Sequence, residues 1–200
     1  NKKLIIFYQF SMNQFSQLRE KSLQLLNKYI KNPNLKKHLL AAESLMRALA
    51  IKYNENPEIW GLAGLIHDLD WEQTIDNPEK HSIIAAEILE KEGYPEKVIN
   101  AVKIHNHLHG IEPKTNLEKA LYSCEEITGL IVATTLVTPS KKLADVTAER
   151  VLSKFKEKSF ARGVDREIIL KSKELLGLEL KELIEIALES MQEISGELGL

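Results

Sequence analysis

The sequence predicts a single all-α domain, and three observations lead to this prediction. Apolar residues recur every three or four positions along most of the chain, which is the pattern of amphipathic helices. Asn-Pro pairs and single glycines interrupt this pattern where helices would begin and end. No segment alternates convincingly between apolar and polar residues, apart from a weak alternation at residues 4–8.

The predicted helices follow one another with short breaks. Asn56-Pro57 and Asn77-Pro78 each combine a capping side chain with a proline at the first helical position. Gly93, Gly163 and Gly177 mark breaks. We expect helices at about 15–29, 35–53, 57–68, 78–92, 95–109, 116–137, 145–158, 166–176 and 179–197.

Composition is that of an ordinary soluble domain, with 44% apolar residues, 28% charged residues and a net charge of −2. There is no basic footprint for nucleic acid and no apolar run long enough for a membrane span. Cys124 is the single cysteine, which excludes an intramolecular disulfide and agrees with a cytoplasmic location. We predict that residues 1–11 are a loosely tied extension, native or added, with Met12 as a candidate start, and that residues 12–200 form the domain.

The central helix ends in an unusual segment, residues 61–71. A helix with this sequence is apolar on nearly every side, yet it carries the adjacent ionisable residues His67 and Asp68. A buried charge needs a compensating partner. Gly61, Gly64 and Asp68 share one helical face, and glycine costs about 1 kcal/mol relative to alanine inside a helix. We therefore expect another group to approach this face closely. A metal centre would explain both the ionisable pair and the two glycines.

Further histidines also fall on inward faces of other predicted helices. A single inward histidine is usually a hydrogen-bonded core residue, but four on four helices indicate a shared purpose. Imidazole and carboxylate are ligands of iron, manganese and zinc. The sequence therefore predicts a metal site built from His38, His67, Asp68, His81, His105 and Glu125.

This ordered set resembles the HD superfamily of metal-dependent phosphohydrolases over about residues 34–140. A wider pattern that includes residues 60–64 and 133–142 resembles a small branch of predicted HD hydrolases over residues 12–200, with additional C-terminal helices at 145–197. The resemblance implies that His38, His67, Asp68 and a final acidic residue hold one metal. It also implies that His81 and His105 belong to a second metal, with Asp68 as the bridge and catalytic residue.

Two departures from the family pattern matter. The final ligand is usually Asp, whereas this chain offers Glu125 and Glu126. Glu125 shares its helical face with apolar residues, so we assign the ligand to Glu125 and place Glu126 toward the outside. Some two-metal members have consecutive histidines where this chain has His105 followed by Asn106, which leaves the second site one ligand short.

The predicted function is hydrolysis of a nucleotide or another small phosphorylated metabolite. One or two divalent ions (iron, manganese, zinc, nickel or cobalt) would lower the pKa of a bound water and so supply hydroxide at neutral pH. Two alternatives stay open: a di-iron oxygenase of the same fold, and a non-catalytic metal-containing nucleotide sensor. Candidate cations for an anionic substrate are Lys141, Lys142 and Arg162.

Supporting roles can also be assigned to residues beside the predicted ligands. Asp70 and Asn106 are candidates to orient the histidines, although a solvated or capping role is favoured for Asp70. His107 and His109 are expected at the surface, with His109 within reach of the rim of the site. Cys124 is expected to be an inert core thiol.

Overall fold

The computed structural model describes the backbone of residues 2–200 and the side chains of residues 15–200. The described residues form helices and connecting loops without a strand, which confirms the all-α prediction. The prediction for residues 1–11 lies outside the part of the chain whose side chains are described. The helices are α1 (Lys2–Tyr29), α2 (Pro33–Lys52), α3 (Pro57–Ile66), α4 (Trp71–Thr74), α5 (Ile83–Lys91), α6 (Glu96–His105), α7 (Asn116–Cys124), α8 (Ile127–Leu136), α9 (Ala148–Lys156), α10 (Arg166–Leu176), α11 (Leu180–Glu193) and α12 (Ser195–Leu198).

Several helix boundaries follow from local capping chemistry. The Asn32 side chain accepts a hydrogen bond from the backbone N–H of Asn34 at 2.9 Å, and Asn56 accepts one from Glu58 at 2.8 Å. Both caps are followed by proline at the start of the helix. Asp165 caps α10, and Gly177 follows α10 with a φ of 68°. These side chains satisfy backbone donors that a helix leaves free at its first turn.

Two predicted helices differ from those observed. Asn77-Pro78 does not start a helix; residues 78–82 form turns, and α5 begins only after Ser82, whose φ is 71°. The predicted helix at 116–137 is divided into α7 and α8 by a turn at residues 125–126. The Thr128 hydroxyl donates to the Glu125 carbonyl at 2.8 Å, and the Thr128 N–H also donates to it, so i to i+3 bonding interrupts the regular α-helical pattern.

The packing of α2 against α3 is unusually close at Gly64. A Cβ atom at Gly64 would lie 2.5 Å from the Ala42 carbonyl oxygen and 2.9 Å from the Glu43 backbone nitrogen. A Cβ at Gly61 would lie 2.6 Å from Nε of Arg47. The expected close approach therefore exists, but its partner is the α2 helix, so the attribution of these glycines to a metal centre is wrong.

An ionic network around buried Glu43 links α2 to α1 and α3. Glu43 is only 4% exposed and pairs with Arg19 of α1 at 2.6 Å. Arg47 contacts Glu43 at 3.0 Å and Glu58 of α3 at 2.8 Å. Because removing one partner would leave a buried charge uncompensated, this network constrains how α1, α2 and α3 pack.

The remaining core is apolar and includes Cys124, which is fully buried. Burial raises the pKa of the Cys124 thiol to about 12, in agreement with the prediction of an inert core thiol. Among the described helices, none is both long and apolar enough to cross a lipid bilayer.

The close packing at Gly64 predicts a specific stability effect. Gly64→Ala would force α2 and α3 apart, so we expect the free energy of unfolding to fall by about 1–3 kcal/mol. Gly129→Ala is the matched control, since its Cβ would meet only Val164 at 3.5 Å and alanine favours the helix. Thermal or denaturant unfolding measures both variants. Equal stability of the two would show that the α2–α3 contact tolerates a methyl group.

Candidate metal centre

The predicted ligands come from separate elements but meet in one place. His38 lies on α2, and three others stand where helices end: His67 after α3, His105 as the last residue of α6, and Glu125 after α7. His81 lies in the turn before α5. The carboxyl-terminal ends of three helices thus converge on the site, and their dipoles favour positive charge there.

The first group of ligand atoms surrounds His38. Its Nε2 lies 3.3 Å from Nε2 of His67 and 3.3 Å from Oε2 of Glu125. Asp68 lies 3.5 Å from His67 Nε2 through Oδ1 and 3.8 Å from His38 Nε2 through Oδ2. Ligands at the usual bond length around one transition metal lie about 3.0–3.5 Å from each other. His38, His67 and Asp68 therefore form one group that could hold an ion, and Glu125 lies beside this group in contact with His38.

The second group shares Asp68 with the first. Oδ1 of Asp68 lies 3.3 Å from Nε2 of His81 and 3.3 Å from Nε2 of His105. The two Nε2 atoms are 3.2 Å apart. The three side chains form a second set of potential metal ligands, as do His38, His67 and Asp68. Asp68 thus belongs to both groups, and its role as a bridging ligand stays a prediction.

Hydrogen bonds hold all four imidazoles in one tautomer. Nδ1–H of His67 donates to the Gly64 carbonyl at 2.9 Å, and Nδ1–H of His105 donates to the Val102 carbonyl at 2.6 Å. Because a carbonyl can only accept, these Nδ1 atoms carry protons. The Nδ1–H of His81 donates to Asp70 at 2.8 Å.

His38 follows the same rule through a hydroxyl. Its Nδ1–H donates to Oγ1 of Thr128 at 3.2 Å, because the Thr128 hydrogen is already given to the Glu125 carbonyl. In their neutral forms, all four rings thus present an unprotonated Nε2 to the centre. Two such atoms 3.2–3.3 Å apart cannot hydrogen-bond to each other. A cation resolves this arrangement, and the donor set of imidazole and carboxylate fits a transition metal.

The electrostatics of the centre also favour positive charge. Burial lowers the pKa of His38, but the Glu125 and Asp68 carboxylates outweigh burial and raise it to about 9. Burial likewise lowers the pKa of His81, while Asp68 and Asp70 raise it to about 9. Burial raises the pKa of Asp68, yet the surrounding histidines hold it well below its usual range. The carboxylates therefore remain ionised and attract cations.

Asp70 is an orienting residue, and the favoured solvated or capping role is wrong. Its side chain is completely buried and makes no capping hydrogen bond to α4. Oδ1 accepts from the ring of His81 at 2.8 Å, and Oδ2 accepts from the Ala85 backbone N–H at 2.9 Å. Thr128, which orients His38, was missed in the sequence, although it lies one turn after Glu125 on the same predicted face.

Asn106 and His109 hold the turn that carries His81. Asn106 donates to the carbonyls of Pro78 at 3.0 Å and His81 at 3.1 Å. His109 Nε2 lies 2.9 Å from the His81 carbonyl oxygen, so His109 contacts the turn that carries His81. His107 is exposed. These residues stabilise a turn in a segment for which the local sequence predicted a helix.

Glu126 differs from its predicted position. It was placed on the outer face of a continuous helix, but the turn at residues 125–126 directs it to the same cavity as Glu125. Burial and the neighbouring Glu125 carboxylate raise the pKa of Glu126 to about 8. The outward placement of Glu126 is therefore wrong, because helical periodicity does not continue across the turn.

All of the predicted ligand residues except His67 line an open cavity of about 390 Å³, a volume within the range of small-molecule sites. Lys141 and Lys142 are exposed after α8 and do not line it. Arg162 is exposed too, next to Gly163, which does line the cavity. A substrate-binding role for these three cations stays a prediction.

A second, larger cavity of about 590 Å³ lies between α2 and α11. Its charged floor consists of the Arg19, Glu43 and Arg47 network, whose members pair with one another. Among the described residues that line it none is histidine, so they offer no counterpart to the ligand groups described above.

A helical protein with a His/Asp centre of this kind belongs to a recognisable class of metalloproteins. A family model described as "HD domain" matches residues 35–135, about half of the chain. The chain therefore belongs to the HD domain family, most of whose members are metal-dependent phosphohydrolases. Comparisons with curated proteins and with solved structures found no match.

The shared position of Asp68 predicts the effect of ligand substitutions on metal content. Asp68→Ala should lose both ions, and Glu125→Gln should weaken the first site, because each removes an anionic ligand. Glu126→Gln is the control and should retain wild-type metal content. Elemental analysis of purified protein measures all three. Full metal content in both Asp68→Ala and Glu125→Gln would contradict the ligand assignment.

Substitution of Asp70 and of Thr128 should each weaken a different one of the two ion sites. The two Asp70 oxygens accept hydrogen bonds from the His81 ring N–H and the Ala85 backbone N–H. Asparagine has only one acceptor oxygen, so in Asp70→Asn one of these N–H groups would face the amide NH₂ group and lose its acceptor. We expect this substitution to weaken the second ion about 10–100-fold. Thr128→Val removes the acceptor for His38 and should weaken the first ion instead. Manganese titration calorimetry distinguishes the two sites, and equal losses at both would contradict separate orienting roles.

Proposed function

We propose that this protein is a metal-dependent phosphohydrolase that acts on a nucleotide or another small phosphorylated metabolite. The observation that supports this proposal is the pair of ligand groups joined at Asp68, in a cavity open to solvent. Membership in the HD domain family supports the hydrolase class. The substrate class itself is part of the proposal.

Six side chains would hold the ions. His38, His67 and Glu125 would bind the first, His81 and His105 the second, and Asp68 both. When bound, divalent ions supply Lewis-acid activation of water and stabilise negative charge on a phosphoryl group. The first group offers four protein ligands and the second offers three.

The chain's own contribution is to fix the ligands before substrate arrives. Each imidazole is anchored at Nδ1, so its orientation does not depend on the ion. His67 and His105 are anchored to the backbone carbonyls of Gly64 and Val102, each three residues earlier in the chain. Such preorganisation means that little reorganisation is required as charge develops in the transition state.

The open side of the centre determines what can enter. The cavity exposes ligand atoms from both groups, so a phosphoryl group can approach both ions at once. Glu126 places a third acidic side chain in the lining beside Glu125. A non-catalytic sensor has no need of access to both groups, and this access supports a reaction over binding alone.

Metal dependence distinguishes hydrolysis from oxidation. We expect manganese-loaded protein to release phosphate from a panel of phosphate esters without oxygen, because hydrolysis needs no change in oxidation state. An oxygenase would require iron and would consume dioxygen. Parallel anaerobic phosphate-release and oxygen-uptake assays measure the two activities. Oxygen uptake with iron, and no turnover of any phosphate ester, would contradict the hydrolase proposal.

The double variant His81→Ala/His105→Ala is the matched control for the second ion. It removes two ligands from one group and none from the other, so it should retain one ion and lose most turnover. Unchanged phosphate release by this variant would show that the reaction does not need the second group.

A further inference from the structure

The cavity has an apolar rim as well as a polar floor. The floor consists of the ligand groups, whereas Leu35, Trp71, Pro78 and Leu108 contribute apolar side chains to the lining. Among the lining residues that the structure describes, none is lysine or arginine. The organic part of a substrate would therefore meet apolar surface beside the ions.

Trp71 is fixed against the second ligand group but remains open on one side. Its backbone N–H donates to the Asp68 carbonyl at 3.0 Å. Its ring packs edge-to-face on His81, with centroids 5.0 Å apart and planes at 85°. The residue is nevertheless 42% exposed, whereas Trp60, the other tryptophan, is 1% exposed. The indole thus offers a free surface directly beside a predicted metal ligand.

Leu108 also belongs to this rim. It lies in the short 3-10 turn at residues 107–109 and is 59% exposed. Asn106 accepts from its backbone N–H at 3.1 Å and also holds the turn of His81. The same asparagine therefore fixes both the apolar rim and a ligand-bearing turn, which places Leu108 in a defined position relative to the floor.

We propose that Trp71 and Leu108 clamp a flat aromatic group in the organic part of the phosphorylated substrate. This inference rests on the proposed function and specifies the class of ester: aromatic-bearing phosphate esters over esters of sugars and polyols. A flat ring stacks on an exposed indole face and gains affinity without a specific hydrogen-bond partner. A cavity of about 390 Å³ suits such a small molecule.

The two tryptophans make this proposal measurable by binding alone. The probes are non-hydrolysable phosphonate analogues of adenosine monophosphate and ribose monophosphate, which differ only in the planar base. With manganese-loaded protein, the adenosine analogue should quench Trp71 fluorescence, while buried Trp60, stacked on Tyr53, should not respond. The ribose analogue should bind without comparable quenching.

Variants then link the rim to ester preference. Trp71→Ala should reduce affinity and kcat/KM for the adenosine ester about tenfold more than for the ribose ester. Trp71→Phe keeps an aromatic face and should restore most of the loss. Ile75→Ala is the matched control, because Ile75 is 65% exposed nearby but does not line the cavity.

The outcomes separate this inference from the proposed function. Equal losses on both esters in Trp71→Ala, or no quenching by the adenosine analogue, would overturn the clamp even if phosphate release persists. Quenching that Trp71→Ala abolishes, in a protein that hydrolyses no ester, would support the clamp as a binding site and overturn the hydrolase proposal. Hydrolysis of the ribose ester as fast as the adenosine ester would contradict the proposed selectivity.

Discussion

The close contact between α2 and α3 at Gly64 is the constraint on which the site depends. A methyl group there would enter the space of the Ala42 carbonyl, so the two backbones pack at a distance that only glycine allows. This packing brings His38 on α2 to within 3.3 Å of His67 at the end of α3. The glycine therefore acts on the metal centre indirectly, through helix packing.

Two groups of charged residues contact α2, and in each a carboxylate removed from water needs a positively charged partner. On one side, Glu43 is buried and is balanced by Arg19 and Arg47. On the other, the Asp68 and Glu125 carboxylates face histidine rings, and nearby carboxylates raise the pKa of His38 and His81 to about 9. The first set is complete within the protein. In the second, protons on histidine rings carry the positive charge, and a metal ion bound there would displace those protons.

Helix ends explain why most of the predicted ligand residues converge and why some of the predicted positions are wrong. Helical periodicity correctly indicated that His38, His67 and His105 face inward, because a side chain on a helix or just after its end follows the helical face. His81 faces inward from a turn, which periodicity did not predict. Helical periodicity failed for Glu126 and for the helix start at Pro78. Near these positions the side chains of Thr128 and Asn106 donate hydrogen bonds to the backbone carbonyls of Glu125 and Pro78 and so compete with helical hydrogen bonding. Asp70 was misjudged for a related reason. An aspartate at a helix start commonly caps it, and only the tertiary position of His81 turns it inward.

The sequence by itself determined the all-α class, most helix boundaries and the identity of the residues that converge, because amphipathic periodicity and capping are local properties. Only the tertiary structure decided the tautomers of the histidines, since their Nδ1 partners include Thr128 and Asp70. It also decided the apolar rim at Trp71 and Leu108. The exposure of a large apolar side chain depends on what packs around it, and that is a property of contacts between distant segments.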